Sequence, residues 1–180
     1  ELGGLLFVAL SPDPVDFDRG AGEIAAQMAL QGFGEGKVAH TVRYVVKANW
    51  KLIFENNREC YHCPTAHPEY VSGTYDTARF DPARAGEVDR ETALADERFR
   101  ALGLGTAVAS SQMTGAWWRV SRAPLMAGWN TQSLDGRPIA PLMGRMRERN
   151  AWSRGTLRCT VFPNFWQHAS DDHAVATRLT

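Results

Sequence analysis

The chain has 180 residues, enough for one domain with a sizeable core, and its 20 Lys and Arg balance its 20 Asp and Glu. The basic residues do not collect into one run, so the sequence lacks the electrostatic footprint of a nucleic-acid-binding protein. No apolar run approaches the roughly 20 residues of a membrane helix, and no signal peptide is visible. We therefore expect no nucleic-acid partner, no membrane span and a cytoplasmic location, and the three cysteines favour a reducing compartment over a disulfide framework.

Three elements are predicted in the first quarter of the chain. The apolar run 3–10 predicts a strand, and alternation across 38–46 predicts a second, half-buried strand. Between them, 17–31 is typical of an amphipathic helix whose candidate buried positions are Ile24, Met28 and Leu30.

The segment 49–68 carries the strongest chemical signal, because it combines two histidines, an acid and two cysteines. Apolar spacing predicts a helix here that Pro64 must interrupt. Residues five apart on an unbroken helix point about 140° apart, so only such a break lets His67 turn back beside His62 and share a metal with it. Glu59, three residues before His62, is expected within hydrogen-bonding reach of that imidazole.

This segment resembles the signature of Rieske non-haem iron oxygenase large subunits. The resemblance rests on Asn49-Trp50-Lys51, Glu55-Asn56, Glu59-Cys60-Tyr61-His62-Cys63 and His67-Pro68. In that family two histidines and a later aspartate hold Fe(II), with open positions for O2 and substrate. The resemblance implies that His62 and His67 are iron ligands. It also implies that Glu59 is a catalytic residue that links this iron electronically to the cluster of a neighbouring subunit.

The resemblance also implies cofactors and partners. In the family, electrons pass from NAD(P)H through a ferredoxin or flavin reductase to a Rieske [2Fe–2S] cluster. Such a cluster needs paired Cys and His ligands, which this chain lacks, so the cluster is expected upstream of residue 1. We interpret 1–180 as one catalytic mononuclear-iron domain, truncated at both ends, of a homotrimer in which each link to a neighbour closes head to tail.

The remaining elements indicate the fold class. A charge-rich segment, 76–105, is interpreted as a cover over the site and contains a short predicted helix over 91–100. Strand-like runs follow at 116–120, 125–132 and 159–167. Strands on both sides of a helical segment predict an α+β domain with a mostly antiparallel sheet. The resemblance implies the helix-grip architecture, in which the sheet wraps around a long helix and leaves an apolar cavity.

Two questions about the metal ligands stay open at this stage. Cys60 and Cys63 could join a histidine in a zinc site, since thiolates and imidazoles are usual zinc ligands, but we expect both thiols to pack around the iron helix. By family resemblance, the third iron ligand is expected to be an aspartate beyond residue 180. Asp172 is the fallback, although 170–173 is interpreted as a solvated hairpin connection.

The substrate is indicated by tryptophans and by a second resemblance. Trp117, Trp118 and Trp129 are candidate substrate-binding residues, with core packing as the plainer interpretation. The stretches 122–125, 131–138 and 140–144 look most like the branch that demethylates quaternary ammonium compounds such as glycine betaine. Aromatic faces suit such a cation and suit a flat aromatic substrate equally. A ring-hydroxylating dioxygenase and a non-enzymatic helix-grip binding module are therefore the alternatives.

Overall fold

The computed structural model describes residues 1–105 and 117–180. Residue 116, the start of the predicted strand 116–120, lies outside these ranges. Within them, no helix has the length and apolar character needed to cross a membrane. The described residues form six α-helices and four β-strands: α1 Phe17–Gln31, α2 Trp50–Asn56, α3 Cys63–Ala66, α4 Pro68–Gly73, α5 Ala85–Leu102, β1 Trp118–Pro124, α6 Gly144–Arg149, β2 Gly155–Val161, β3 Phe165–Ala169 and β4 Ala174–Arg178.

The four strands form one antiparallel sheet in the order β1-β2-β3-β4. Each strand pairs with the next along the chain, so that Val120 lies opposite Cys159, and Cys159 opposite Gln167. Buried and partly exposed residues alternate along β1 and β3, as expected for a sheet with one face against a core. The predicted α+β class with an antiparallel sheet is confirmed.

Helix α1 packs on this sheet and builds the main core. It has the predicted bounds, and Gly32 in a left-handed conformation ends it by donating its N–H to the last carbonyls. Ile24 and Met28 are buried against the sheet, as predicted, whereas Leu30 is only partly buried and packs against a second cluster. The apolar core consists of Leu2, Ala21, Ile24, Met28, Trp118, Val120, Leu157, Cys159, Val161, Phe165 and Ala169.

Helix α5 is longer than the predicted helix 91–100, and it is part of the second core cluster. Ala95 and Phe99 are fully buried there with Met146 of α6. One face of α5 is therefore fixed in the interior, so a mobile cover is wrong for this helix, while a covering position of 76–105 stays a prediction.

Three predicted strands are absent from the described residues. The segments 3–10 and 38–46 contain no strand: Leu5 makes one isolated bridge with Leu2, and Val45 in the second segment is 97% exposed. Residues 125–132 form turns, and 159–167 is divided between β2 and β3 by a turn. The alternating pattern was present, but a strand also needs a neighbour for its backbone hydrogen bonds.

The predicted solvated connection at 170–173 is buried, which corrects the sequence interpretation. Asp171 accepts hydrogen bonds from the Ser153 N–H at 2.6 Å, the Ser153 hydroxyl at 2.5 Å and the Arg154 N–H at 3.2 Å. The Gln31 amide donates to the Ser170 carbonyl at 2.5 Å. Burial raises the pKa of Asp171 to about 6 despite these donors. These hydrogen bonds therefore connect the turn between β3 and β4 to α1 and to the residues just before β2.

Asp171→Asn should lower the free energy of unfolding by about 1–3 kcal/mol, because an amide N–H2 would face N–H and O–H donors in a buried place. Urea denaturation at neutral pH measures this loss. Asp89→Asn, at an exposed position of α5, is the control and should change stability by less than about 0.5 kcal/mol. Equal losses in the two variants would contradict the role of Asp171.

Candidate metal centre

Two prolines shape the backbone of the candidate site, but not in the predicted way. Asn49 caps the start of helix α2, because its side chain accepts the Lys51 N–H at 3.0 Å, and the helix ends at Asn56. Pro64 lies in the first turn of α3 and Pro68 in the first turn of α4. Proline is tolerated there because those N–H groups have no helical partner. Pro64 therefore starts a helix, and the break precedes it.

The structure brings His62 and His67 together across this broken segment. Their Nε2 atoms lie 3.0 Å apart, and their rings are inclined by 82°. Two imidazole nitrogens bound at right angles to one ion at about 2.1 Å would be about 3.0 Å apart. The pair fits neighbouring positions of an octahedral metal. The same distance also suits an N–H···N hydrogen bond, so the ligand role stays a prediction.

Glu59 holds the His62 ring. Its Oε1 is hydrogen-bonded to His62 Nδ1 and to the Asn56 amide, and its Oε2 accepts the Tyr61 N–H at 2.9 Å. Glu59 lies in the turn after α2, not on the predicted helix face. When the carboxylate accepts the proton on Nδ1, the lone pair on Nε2 is left for a metal. Partial burial acts to raise the pKa of Glu59, but the hydrogen bonds with His62 and Tyr61 outweigh it and the pKa is lowered.

His67 is supported differently. Its Nδ1 is buried without a hydrogen-bond partner among residues 1–105 and 117–180. Its ring instead meets the Tyr70 ring edge-on, with centroids 5.3 Å apart and planes at 90°. Packing, and not a hydrogen bond to Nδ1, therefore orients this imidazole.

The two neighbouring cysteines form a disulfide, which corrects the expectation of free thiols. The turn places the Cα atoms of Cys60 and Cys63 5.0 Å apart, within the range that a disulfide spans. Cys63 belongs to the one potential metal-binding group in the described part of the chain, together with His62 and His67. With its sulfur bonded to Cys60, however, Cys63 is not a thiolate, so a zinc site built on these cysteines is not supported.

A cavity of about 420 Å³ opens beside His67. The indole of Trp129 forms one wall and is held between two glycines. A Cβ atom on either Gly73 or Gly136 would lie 2.8 Å from a carbon of the indole, so only glycine allows this close approach. The other lining residues are Glu69, Tyr70, Gln132, Ser133, Leu134 and Ile139.

Comparison with known proteins identifies the family. Residues 33–180 match the family described as "Ring hydroxylating alpha subunit (catalytic domain)". The chain belongs to this family. It is 35% identical, over 98% of its length, to the glycine betaine monooxygenase oxygenase subunit of Chromohalobacter salexigens. It is 30% identical, over 96% of its length, to the protein of the same name from Pseudomonas aeruginosa strain UCBPP-PA14. The chain spans 39% of the length of each relative.

In this ring hydroxylating alpha subunit, the three predicted substrate tryptophans occupy different places. Trp118 is only 8% exposed and lies in the main core, because it is on the β1 face that meets α1. Trp117 stacks on Phe17 with ring centroids 4.8 Å apart and donates its Nε1–H to the Asp16 carbonyl at 3.1 Å. Neither lines the cavity, so both have packing roles, and Trp129 alone remains a candidate substrate contact.

Asp172, the fallback third ligand, is used elsewhere. One carboxylate oxygen accepts the Thr131 hydroxyl at 2.5 Å and contacts His173 Nδ1 at 2.8 Å, and the other accepts the N–H groups of Ile139 and Ala140. Burial opposes ionisation, but these donors lower the pKa of Asp172 to about 2. Asp172 therefore fixes the ends of the loop 131–140 beside the cavity, and it is not in the metal-binding group of His62 and His67.

Three further residues belong to the site, and a local sequence signal exists for only one of them. Tyr70 follows His67 by three residues, a helical spacing that could have suggested their contact. Asp76 and Arg158 form a bidentate ion pair next to the Tyr70 hydroxyl, with N···O distances of 2.7 and 2.8 Å. They are far apart in sequence, and only the folded chain brings them together.

His62→Ala or His67→Ala in the full-length oxygenase should remove the mononuclear iron, because one imidazole cannot hold the ion in place of two. Iron analysis should show the loss of one iron per subunit while the absorbance of the Rieske cluster is unchanged. His40→Ala, at an exposed histidine, is the control. Full iron content in either ligand variant would contradict the site.

Two substitutions that both remove the charge of Glu59 test its hydrogen bond to His62 separately from that charge. Glu59→Gln keeps an oxygen that can accept the His62 proton, so we expect near-normal iron content. Glu59→Leu removes that acceptor and should weaken iron binding about 10- to 100-fold, the usual effect of losing the hydrogen-bond partner of a metal ligand. Iron titration measures both. Equal affinity in the two variants would show that this hydrogen bond does not support the ligand.

Proposed function

We propose that this chain is the mononuclear-iron catalytic part of an oxygenase component that oxidatively removes a methyl group from a quaternary ammonium compound. The observation that carries the proposal is the convergence of His62 and His67 beside a cavity walled by Trp129. The relatives named glycine betaine monooxygenase oxygenase subunits support the substrate class.

The proposed reaction is balanced by two external electrons. O2, two electrons and two protons convert one N–CH3 group to N–CH2OH and release water. The carbinol then breaks its C–N bond, giving formaldehyde, a tertiary amine and a proton. Electrons from NAD(P)H would arrive through a reductase and a Rieske [2Fe–2S] cluster of a neighbouring subunit.

The chain's own residues would prepare this reaction. An Fe(II) held by His62 and His67 would supply the activation of dioxygen. Glu59 would keep His62 in the tautomer that binds metal, and its negative charge suits a link to a neighbouring cluster. The third ligand beyond residue 180, the homotrimer and the cytoplasmic location remain predictions from the sequence.

The cavity suits a small cation with no proton to donate. Its volume of about 420 Å³ lies within the usual range for small-molecule sites. A tetraalkylammonium group cannot be recognised by hydrogen-bond acceptors, but the face of an indole attracts it. Trp129 lines the cavity and would supply such a face, and the carboxylate of Glu69 in the same cavity adds negative charge.

Hydroxylation of an aromatic ring is the second candidate, and the description of the family favours it. A flat ring would also pack on Trp129. The convergence of two imidazoles argues against a third possibility, a binding module without catalysis, because a carrier of apolar ligands has no need of paired metal ligands.

Trp129→Leu should weaken the binding of glycine betaine by about 1–2 kcal/mol, the range of a desolvated cation–π contact. That is up to about thirtyfold in affinity, at 1.4 kcal/mol per factor of ten. Leucine keeps an apolar wall but has no aromatic quadrupole, so 3,3-dimethylbutanoate, the uncharged-head isostere, should lose less. Calorimetry on the full-length oxygenase measures both ligands.

Trp117→Leu is the matched control, since Trp117 does not line the cavity, and it should leave both affinities unchanged. With reductase and NAD(P)H present, the wild-type enzyme should release one formaldehyde for each glycine betaine consumed. Equal losses for the two ligands, or dihydroxylated arene with no formaldehyde from any methylammonium substrate, would favour the ring-hydroxylating function.

A further inference from the structure

The two candidate iron ligands are held in unequal ways. His62 has a carboxylate partner on Nδ1, which is the common arrangement for a metal-binding histidine. His67 has no such partner in the described structure, and its Nδ1 is buried. Among residues 1–105 and 117–180, it is therefore a contact other than a hydrogen bond to Nδ1 that keeps the His67 ring in the orientation that points its Nε2 at that of His62.

Tyr70 is in the position to do this. It lies on α4, one turn after His67, and its N–H donates to the His67 carbonyl at 3.0 Å. Its ring stands edge-on against the imidazole at 90°, so rotation of the imidazole would drive it into the tyrosine. The position of Tyr70 thus sets the position of the ligand ring.

A residue of the sheet, Arg158, holds Tyr70 in place through Asp76. The Tyr70 hydroxyl donates to Asp76 Oδ2 at 2.5 Å, and the same carboxylate receives both terminal nitrogens of Arg158, a β2 residue. Such a two-pronged contact defines direction as well as distance. The side chains of Arg158 and Asp76 are 21% and 17% exposed, so solvent competes little. Arg158 is the main stabilising influence that lowers the pKa of Asp76 to about 2 against its burial, so Asp76 accepts as a carboxylate.

We propose that Tyr70, Asp76 and Arg158 are positioning residues for the iron site, and that they orient the His67 ring by packing in place of a hydrogen bond to Nδ1, which no described residue supplies. This inference rests on the proposed ligand role of His62 and His67. The sheet then supports His67 through Arg158, Asp76 and Tyr70, and the turn after α2 supports His62 through Glu59.

The test is the rate at which iron leaves the full-length oxygenase. Tyr70→Leu removes the ring edge and should speed the release of mononuclear iron to a ferrous chelator about 10- to 100-fold, as for other supports of metal ligands. It should also change the electron paramagnetic resonance signal of the nitric oxide adduct, which reports ligand geometry. Tyr70→Phe keeps the ring but frees it from Asp76, so its release rate should be intermediate.

Tyr75→Leu is the matched control, because Tyr75 is a tyrosine only 2% exposed and packs in a separate cluster with Ala78 and Val88. It should lower the unfolding temperature while iron release and the resonance signal stay as in the wild type. Asp76→Asn is a second route to the same result if Tyr70→Leu does not fold, since it weakens the hold on Tyr70 without removing the ring.

The outcomes separate this inference from the proposed function. If the wild-type enzyme holds no iron that depends on His62 and His67, the proposed function fails. If it does hold that iron, but Tyr70→Leu and Asp76→Asn release it at the wild-type rate, only the positioning role is overturned. Equal acceleration in Tyr75→Leu would also overturn it, by showing a general loss of stability.

Discussion

The approach of two imidazole nitrogens to 3.0 Å is the constraint on which the site depends. A continuous helix would point His62 and His67 in different directions. The chain instead ends one helix at Asn56 and forms two short helices that each begin with a proline in the first turn. These changes of direction let residues five apart meet, and they leave the neighbouring turn free to supply Glu59.

Two adjacent aspartates show how the fold fixes the cavity next to this pair. Asp171 and Asp172 are both buried, yet their pKa values move in opposite directions, to about 6 and about 2. For Asp171, the burial that favours the protonated acid outweighs the hydrogen bonds that favour the carboxylate. For Asp172, the hydrogen bonds from Thr131, His173 and backbone amides outweigh burial. Asp171 secures the start of β2, and Asp172 secures the loop whose Gly136 packs on Trp129. The cavity wall formed by Trp129 thus depends on a polar turn in the interior.

Local signals in the sequence predicted the local structure well. The helix over 17–31, the encounter of the two histidines and the antiparallel α+β class follow from periodicity, helix breaking and element order. Pairing could not be predicted so well, because a strand such as 38–46 needs a partner that its own pattern does not specify. The same limit applies to Trp117, just before β1, and to Trp118, its first residue, because the sequence pattern does not say which side chain meets α1.

Contacts between distant residues account for the remaining corrections. Arg158 meets Asp76 and Asp172 meets Thr131 only after folding, so no spacing rule could have revealed them. The disulfide between Cys60 and Cys63 is a local exception. It forms because the chain turns between α2 and α3, where the sequence had predicted a helix. The chemical motif and its nearest supports, Glu59 and Tyr70, are local, whereas the supports that reach them from the sheet are non-local.

The most direct test is an anomalous diffraction map of the full-length oxygenase at the iron edge. A mononuclear iron should appear between the two imidazoles, about 2.0–2.2 Å from the Nε2 atoms of His62 and His67. An iron peak bound elsewhere, or none within bonding distance of these two nitrogens in catalytically active crystals, would contradict the account.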